Sequence, residues 1–129
     1  MEGHKISFRV YYEDTDSGGV VYYANYLKFA ERARTEMLRD AGINQSEEEI
    51  LFVVRKAELE LIKPAKLDDL LEISSSIEKL SGASISINQD IYLGSTIISK
   101  INVLIVCVSK GFKPIKIPQE IRDKLNINL

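Results

Sequence analysis

The chain has 129 residues, 45% hydrophobic and 28% charged, with a formal charge of −2. That length suits one domain spanning residues 1–129 and leaves no room for a separate cofactor domain. The slight acidic excess excludes a general nucleic-acid binder, and a single cysteine, Cys107, excludes an internal disulfide. Met1 to Ile6 has no apolar signal-peptide core, and the run Ile101 to Val108 is too short for a membrane helix. These features predict a cytoplasmic protein with no transmembrane segment.

Ile6, Phe8, Val10 and Tyr12 alternate with Ser7, Arg9 and Tyr11, the period of a strand. Asp14 to Gly19 is a run of turn formers. Tyr23, Tyr26, Leu27, Ala30, Ala33, Met37, Leu38 and Ala41 then recur at three- and four-residue steps, which predicts a long helix stopped by Gly42. Ala57, Leu59 and Leu61 alternate with charged residues as far as Pro64. Leu71 to Glu78, Ser84 to Leu93 and Ile97 to Val108 read as three more strands, separated by Ser81-Gly82 and Gly94-Ser95. Val103 to Val108 is apolar on both faces, as expected of a central strand or one covered by a second copy. Gln119 to Leu125 suits a helical turn or two. One strand, one helix and four strands in meander style suit an α+β hotdog, a five-stranded antiparallel sheet wrapped around one long helix, and the periodicity alone also fits other α+β arrangements.

The inventory narrows the chemistry. His4 is the single histidine and sits near the terminus, where a solvated role is expected. A Ser-His-Asp or Cys-His system therefore has little to build on. Cys107 falls in the most apolar strand and is expected to be a core thiol. No zinc-type ligand set and no glycine-rich nucleotide motif is present, so neither metal nor cofactor is expected. The base or nucleophile of an enzyme here would be a carboxylate. Asp14 and Asp16, followed by Gly18 and Gly19, lead into a helix whose first amides are free to stabilise a developing oxyanion. Spacing alone leaves turn and capping chemistry as the competing account of both acids.

Three blocks carry a resemblance. They are RVYYEDTDSGGVVYYANYLKFAERARTEML from Arg9 to Leu38, KPAKLDDLLEI from Lys63 to Ile73, and the weaker GFKPIKIPQEI from Gly111 to Ile121. The sequence resembles the 4-hydroxybenzoyl-CoA thioesterase-like hotdog family, closest to the Tol–Pal-associated acyl-CoA thioesterases (YbgC type). The resemblance implies hydrolysis of acyl-CoA, or of acyl groups on acyl carrier protein, in lipid metabolism. It implies a homodimer or homotetramer with active sites between subunits, and contacts with phospholipid-synthesis enzymes. It places the catalytic carboxylate on Asp16 and an oxyanion donor on the backbone N–H of Tyr23. The Tol–Pal branch commonly has histidine at the position of Tyr23, so this chain keeps the amide and lacks the imidazole.

Gly19, Val20, Tyr22 and Tyr26 are the substrate-binding candidates around the helix start. Lys110 and Lys113, with Lys116, Lys56 and Lys63 as further options, are candidates for CoA phosphates. Asp14 is assigned to turn structure. Glu31 is the runner-up carboxylate, against an ion pair with Arg34 or Arg32. The alternatives to an acyl-CoA hydrolase are a non-catalytic acyl-CoA-binding or scaffold hotdog and a hotdog dehydratase, which would need His4.

Overall fold

The computed structural model describes residues 3–45 and 49–126. Met1 and Glu2, which open the N-terminal reading, lie outside them. The elements are β1 (His4–Arg9), a short 3-10 turn (Tyr12–Asp14), α1 (Tyr23–Asp40), β2 (Ile50–Leu61), β3 (Leu70–Leu80), β4 (Ser84–Leu93), β5 (Thr96–Ser109) and α2 (Gln119–Asn126). Every strand pairing is antiparallel. With α1 packed on the sheet, this is the expected hotdog arrangement.

The strand order is β1-β3-β4-β5-β2. Only β3, β4 and β5 form a meander. β2 crosses to the far side of β5, and β1 takes the place beside β3 that a full meander would give to β2. β5 is an interior strand, paired on both sides, which accounts for its apolar second half. β2 is also longer than its alternation suggested. Ile50 to Val54 carries no period-two pattern but pairs with Ile105 to Ser109. Register shifts at Val54/Lys56 in β2 and Ile77/Lys79 in β3 bend the strands around the helix.

α1 buries Tyr26, Phe29, Ala30, Ala33, Met37 and Leu38. Phe29, absent from the expected stripe, stacks on Phe8 with ring centroids 5.9 Å apart. Ala30 and Ala33 have no Cγ, so the helix can lie close to the sheet. Tyr23 lies off the stripe and is exposed. The helix ends in a Schellman motif: Gly42 N–H donates to the Arg39 carbonyl and Ile43 N–H to the Leu38 carbonyl. Gly42 has φ of +87°, a conformation glycine adopts without strain.

One polar thread crosses the core. The Gln89 amide donates to the Ala30 carbonyl at 2.8 Å and to Ser75 Oγ at 2.9 Å, and its oxygen accepts from Arg34 at 3.0 Å. A fully buried glutamine is tolerated because each of these bonds replaces one to water.

Candidate active site

The sheet has two ends. Arg9, Leu61, Leu70, Leu93 and Thr96 mark one, and His4, Ile50, Leu80, Ser84 and Ser109 mark the other. The Asp-Gly turn and the start of α1 lie at the first. There the Asp16 N–H donates to the Val20 carbonyl, and Gly19 N–H donates to the Asp16 carbonyl. Bridges from Thr15 to Val21 and from Val20 to Lys66 close the turn. Asp16 Oδ1 accepts the Gly18 N–H at 2.8 Å. A Cβ on Gly18 would lie 3.2 Å from that oxygen, so glycine leaves the carboxylate its room.

Asp14 is held differently. Its carboxylate accepts the Tyr11 N–H at 2.8 Å, and its carbonyl accepts Tyr22 N–H and the Asn25 side-chain amide. Asp14 is thus a turn residue, as expected from its position. Asn25 carries no distinguishing signal in the sequence, yet it ties the first helical turn to the acidic loop. The amides of Tyr22 and Asn25 are both occupied, the latter by the Tyr22 carbonyl at 2.8 Å. Of the amides from Tyr22 to Asn25, those of Tyr23 and Ala24 alone have no partner among the described residues.

Asp16 is exposed to solvent, yet it does not stand apart from a cavity. It lines a cleft of about 410 Å³ with Val20, Val21, Tyr22, Tyr23 and Tyr26 on one side and Leu61 to Pro64 on the other. The turn, the helix start and the end of β2 therefore supply one carboxylate, one residue with an unpartnered amide, Tyr23, and an apolar lining. In the sequence Leu61, Ile62 and Pro64 show only the end of a strand. The segment they begin is drawn over the turn because Val21 N–H donates to the Ala65 carbonyl and Ala65 N–H to the Tyr26 hydroxyl. Lys63 places a cation on this cleft. Gly19 shapes the turn with φ of +81° but is not on the cleft wall.

Lys110 and Lys113 follow β5 at the opposite end of the sheet from Asp16. β5 has 14 residues; at roughly 3.3 Å per residue this separates the two groups by about 40 Å of strand. Within one chain the two lysines cannot serve the Asp16 cleft. His4 is also remote from it. Its Nε2 lies 2.7 Å from Asp40 Oδ2 at the C-terminal end of α1, so it is a paired residue rather than a solvated one. Glu31 has no ion pair within 4 Å among the described residues, and Arg34 bonds to Gln89 instead. Lys56 pairs with Glu58 at 3.0 Å.

Cys107 is buried in β5, and burial pushes its thiol pKa up. A thiol reagent such as DTNB is expected to label Cys107 only as the chain unfolds. Rapid stoichiometric labelling of the native protein would contradict that assignment.

A family model described as Thioesterase superfamily matches residues 18–98. The chain belongs to the thioesterase superfamily. Acyl-CoA thioesterase YbgC of Haemophilus influenzae is 42% identical over 125 residues, 93% of this chain and 92% of that protein. Acyl-CoA thioester hydrolase YbgC of Escherichia coli O6:H1 is 48% identical over 118 residues, 88% of each. Among solved structures, a probable thioesterase from Bartonella henselae superposes with a TM-score of 0.86 at 39% identity, covering 90% of this chain and 99% of that one.

Proposed function

We propose that the chain hydrolyses the thioester of an acyl-CoA in the Asp16 cleft. The observation that carries this reading is that Asp16 and Tyr23, the first helical residue, whose amide has no partner among the described residues, line a single apolar cavity. A thioester needs little more. Its carbonyl is electrophilic, and its leaving group is a thiolate whose conjugate acid has a pKa of about 8.5, so departure at neutral pH needs little acid assistance. Asp16 either attacks the carbonyl carbon or takes the proton of a water that does. The helix-start amides hold the tetrahedral oxyanion. Val20, Tyr22, Leu61 and Ile62 offer an apolar path for the acyl group, and Lys63 meets a CoA phosphate. The curated relatives' names support acyl-CoA as the substrate; acyl carrier protein is a second carrier to be tested beside it. Thiol release from a panel of acyl-CoAs, with Asp16→Asn as control, tests the reading. Tight binding with no release from any ester would favour the sensor or scaffold alternative.

The reading extends to a second copy of the chain. β2 is a 12-residue strand at the sheet edge, with Val54, Leu61 and the following Ile62 exposed. A long exposed edge is a template for pairing. Antiparallel pairing of two β2 strands brings the far end of one sheet beside the near end of the other. The partner's Lys110 and Lys113 then approach the Asp16 cleft, and this is how the tail lysines reach a CoA phosphate. Sedimentation at micromolar concentration is expected to give a dimer or tetramer, and a monomer alone would contradict the arrangement. No helix among the described residues is long and apolar enough to cross a membrane. A cytoplasmic location, and a role beside phospholipid-synthesis or Tol–Pal proteins, remain part of the same reading.

A further inference from the structure

The Tyr26 hydroxyl is only half satisfied by hydrogen bonding. Its side chain is 2% exposed and lines the Asp16 cleft. Its hydroxyl oxygen accepts the Ala65 N–H at 3.1 Å. A tyrosine hydroxyl also carries one proton to donate, and no acceptor for it exists among the described residues. Buried donors are rarely left without an acceptor. The open space that Tyr26 borders is the cleft.

Two relations locate the hydroxyl along the helix. Side chains on a helix lean toward its N-terminus, so the Tyr26 ring covers the turn that begins at Tyr22 and Tyr23. The residue holding the hydroxyl, Ala65, also accepts the Val21 N–H at 2.9 Å, and Val20 and Val21 form the closing side of the Asp16 turn. The phenol thus stands level with the helix start and the carboxylate turn. Burial pushes its pKa up, with nearby Asp69 acting in the same direction and the Ala65 bond opposing, so it is protonated at neutral pH.

We infer that the Tyr26 hydroxyl donates a hydrogen bond to the thioester carbonyl oxygen, joining the backbone amide of Tyr23. The inference rests on the Asp16 reading of the cleft. In the forward step the attacking oxygen bonds to the carbonyl carbon, and the π pair moves onto the oxygen that Tyr26 and Tyr23 hold. In collapse that pair re-forms the carbonyl, the C–S bond breaks and the thiolate leaves with its electrons. Tyr26 keeps its proton throughout. It acts as a donor whose bond strengthens as charge develops.

The test is Tyr26→Phe, which keeps the ring and its packing. Turnover is compared with the affinity for an S-alkyl-CoA thioether of the same chain length, which has no carbonyl oxygen. The expected result is a kcat lower by about a hundredfold, the low end for removing one oxyanion donor, with thioether affinity unchanged. Wild-type kcat in Tyr26→Phe overturns the inference. So does a thioether affinity that falls in step with kcat, since the hydroxyl would then serve only to hold Ala65. A spectroscopic readout is independent of turnover. The carbonyl stretch of a thioester bound to Asp16→Asn is expected at lower frequency than in Asp16→Asn/Tyr26→Phe, and equal frequencies overturn the inference. Wild-type turnover in Asp16→Asn alone would instead reject the reading of the cleft, so the two failures are distinct.

Discussion

Asp16→Asn is expected to lower thioester turnover by at least about a hundredfold, the lower range for loss of an acid–base group. The substitution removes little else. An asparagine oxygen can still accept the Gly18 N–H that Asp16 Oδ1 accepts at 2.8 Å, so the turn keeps its shape. The backbone bonds from Asp16 N–H to Val20 and from Gly19 to Asp16 do not involve the side chain. The variant therefore binds substrate and presents the same amides, but lacks a group that can attack a carbonyl or deprotonate water. The loss falls on kcat, and KM moves little. Steady-state thiol release with a saturating acyl-CoA measures both. Normal turnover would remove Asp16 from the chemistry, and Glu31 would be the next carboxylate to test.

Phe29→Ala is expected to destabilise the fold by about 3–5 kcal/mol, the range for emptying a buried phenylalanine site. Phe29 is 2% exposed, in the middle of α1, and stacks on Phe8 of β1. Its removal opens a cavity between the helix and an edge strand of only six residues, and one helix face cannot collapse into it without moving the Gln89 bonds as well. Domains of this size are stable by about 5–15 kcal/mol, so the loss is a large share of the total. Denaturant titration reads it as a lower midpoint. Phe112, exposed on the loop after β5, serves as the control, because Phe112→Ala removes no core contact and should shift stability by no more than about 0.5 kcal/mol. Equal effects from the two substitutions would show that Phe29 is not a core residue.

Much of the site could be read from local pattern. Two acids and two glycines before an amphipathic segment specify a turn feeding a helix, because turn preference and the 3.6-residue period act over a few residues. The roles of Asp16 and of the Tyr23 amide come from the resemblance, and in the structure the residues Asp16 and Tyr23 line one cleft. The other wall has no local signal. Leu61 to Pro64 look like the end of a strand, and only long-range bonds from Ala65 to Val21 and Tyr26 draw that segment over the helix start. Asn25 has none for the same reason, since its partner is the carbonyl of Asp14, 11 residues earlier.

By itself the sequence determined the helix from Tyr23 to Asp40, the stop at Gly42, the span of β4 and the carboxylate turn. Each follows from the spacing of side chains or the backbone freedom of one residue. The tertiary structure decided the neighbours. It moved β2 to the outer side of β5, set Lys110 and Lys113 at the end of the sheet away from Asp16, and paired His4 with Asp40. Period-two alternation says which face of a strand is buried but not which strand lies beside it. Partners tens of residues apart in the chain are chosen by how the whole sheet closes over one helix.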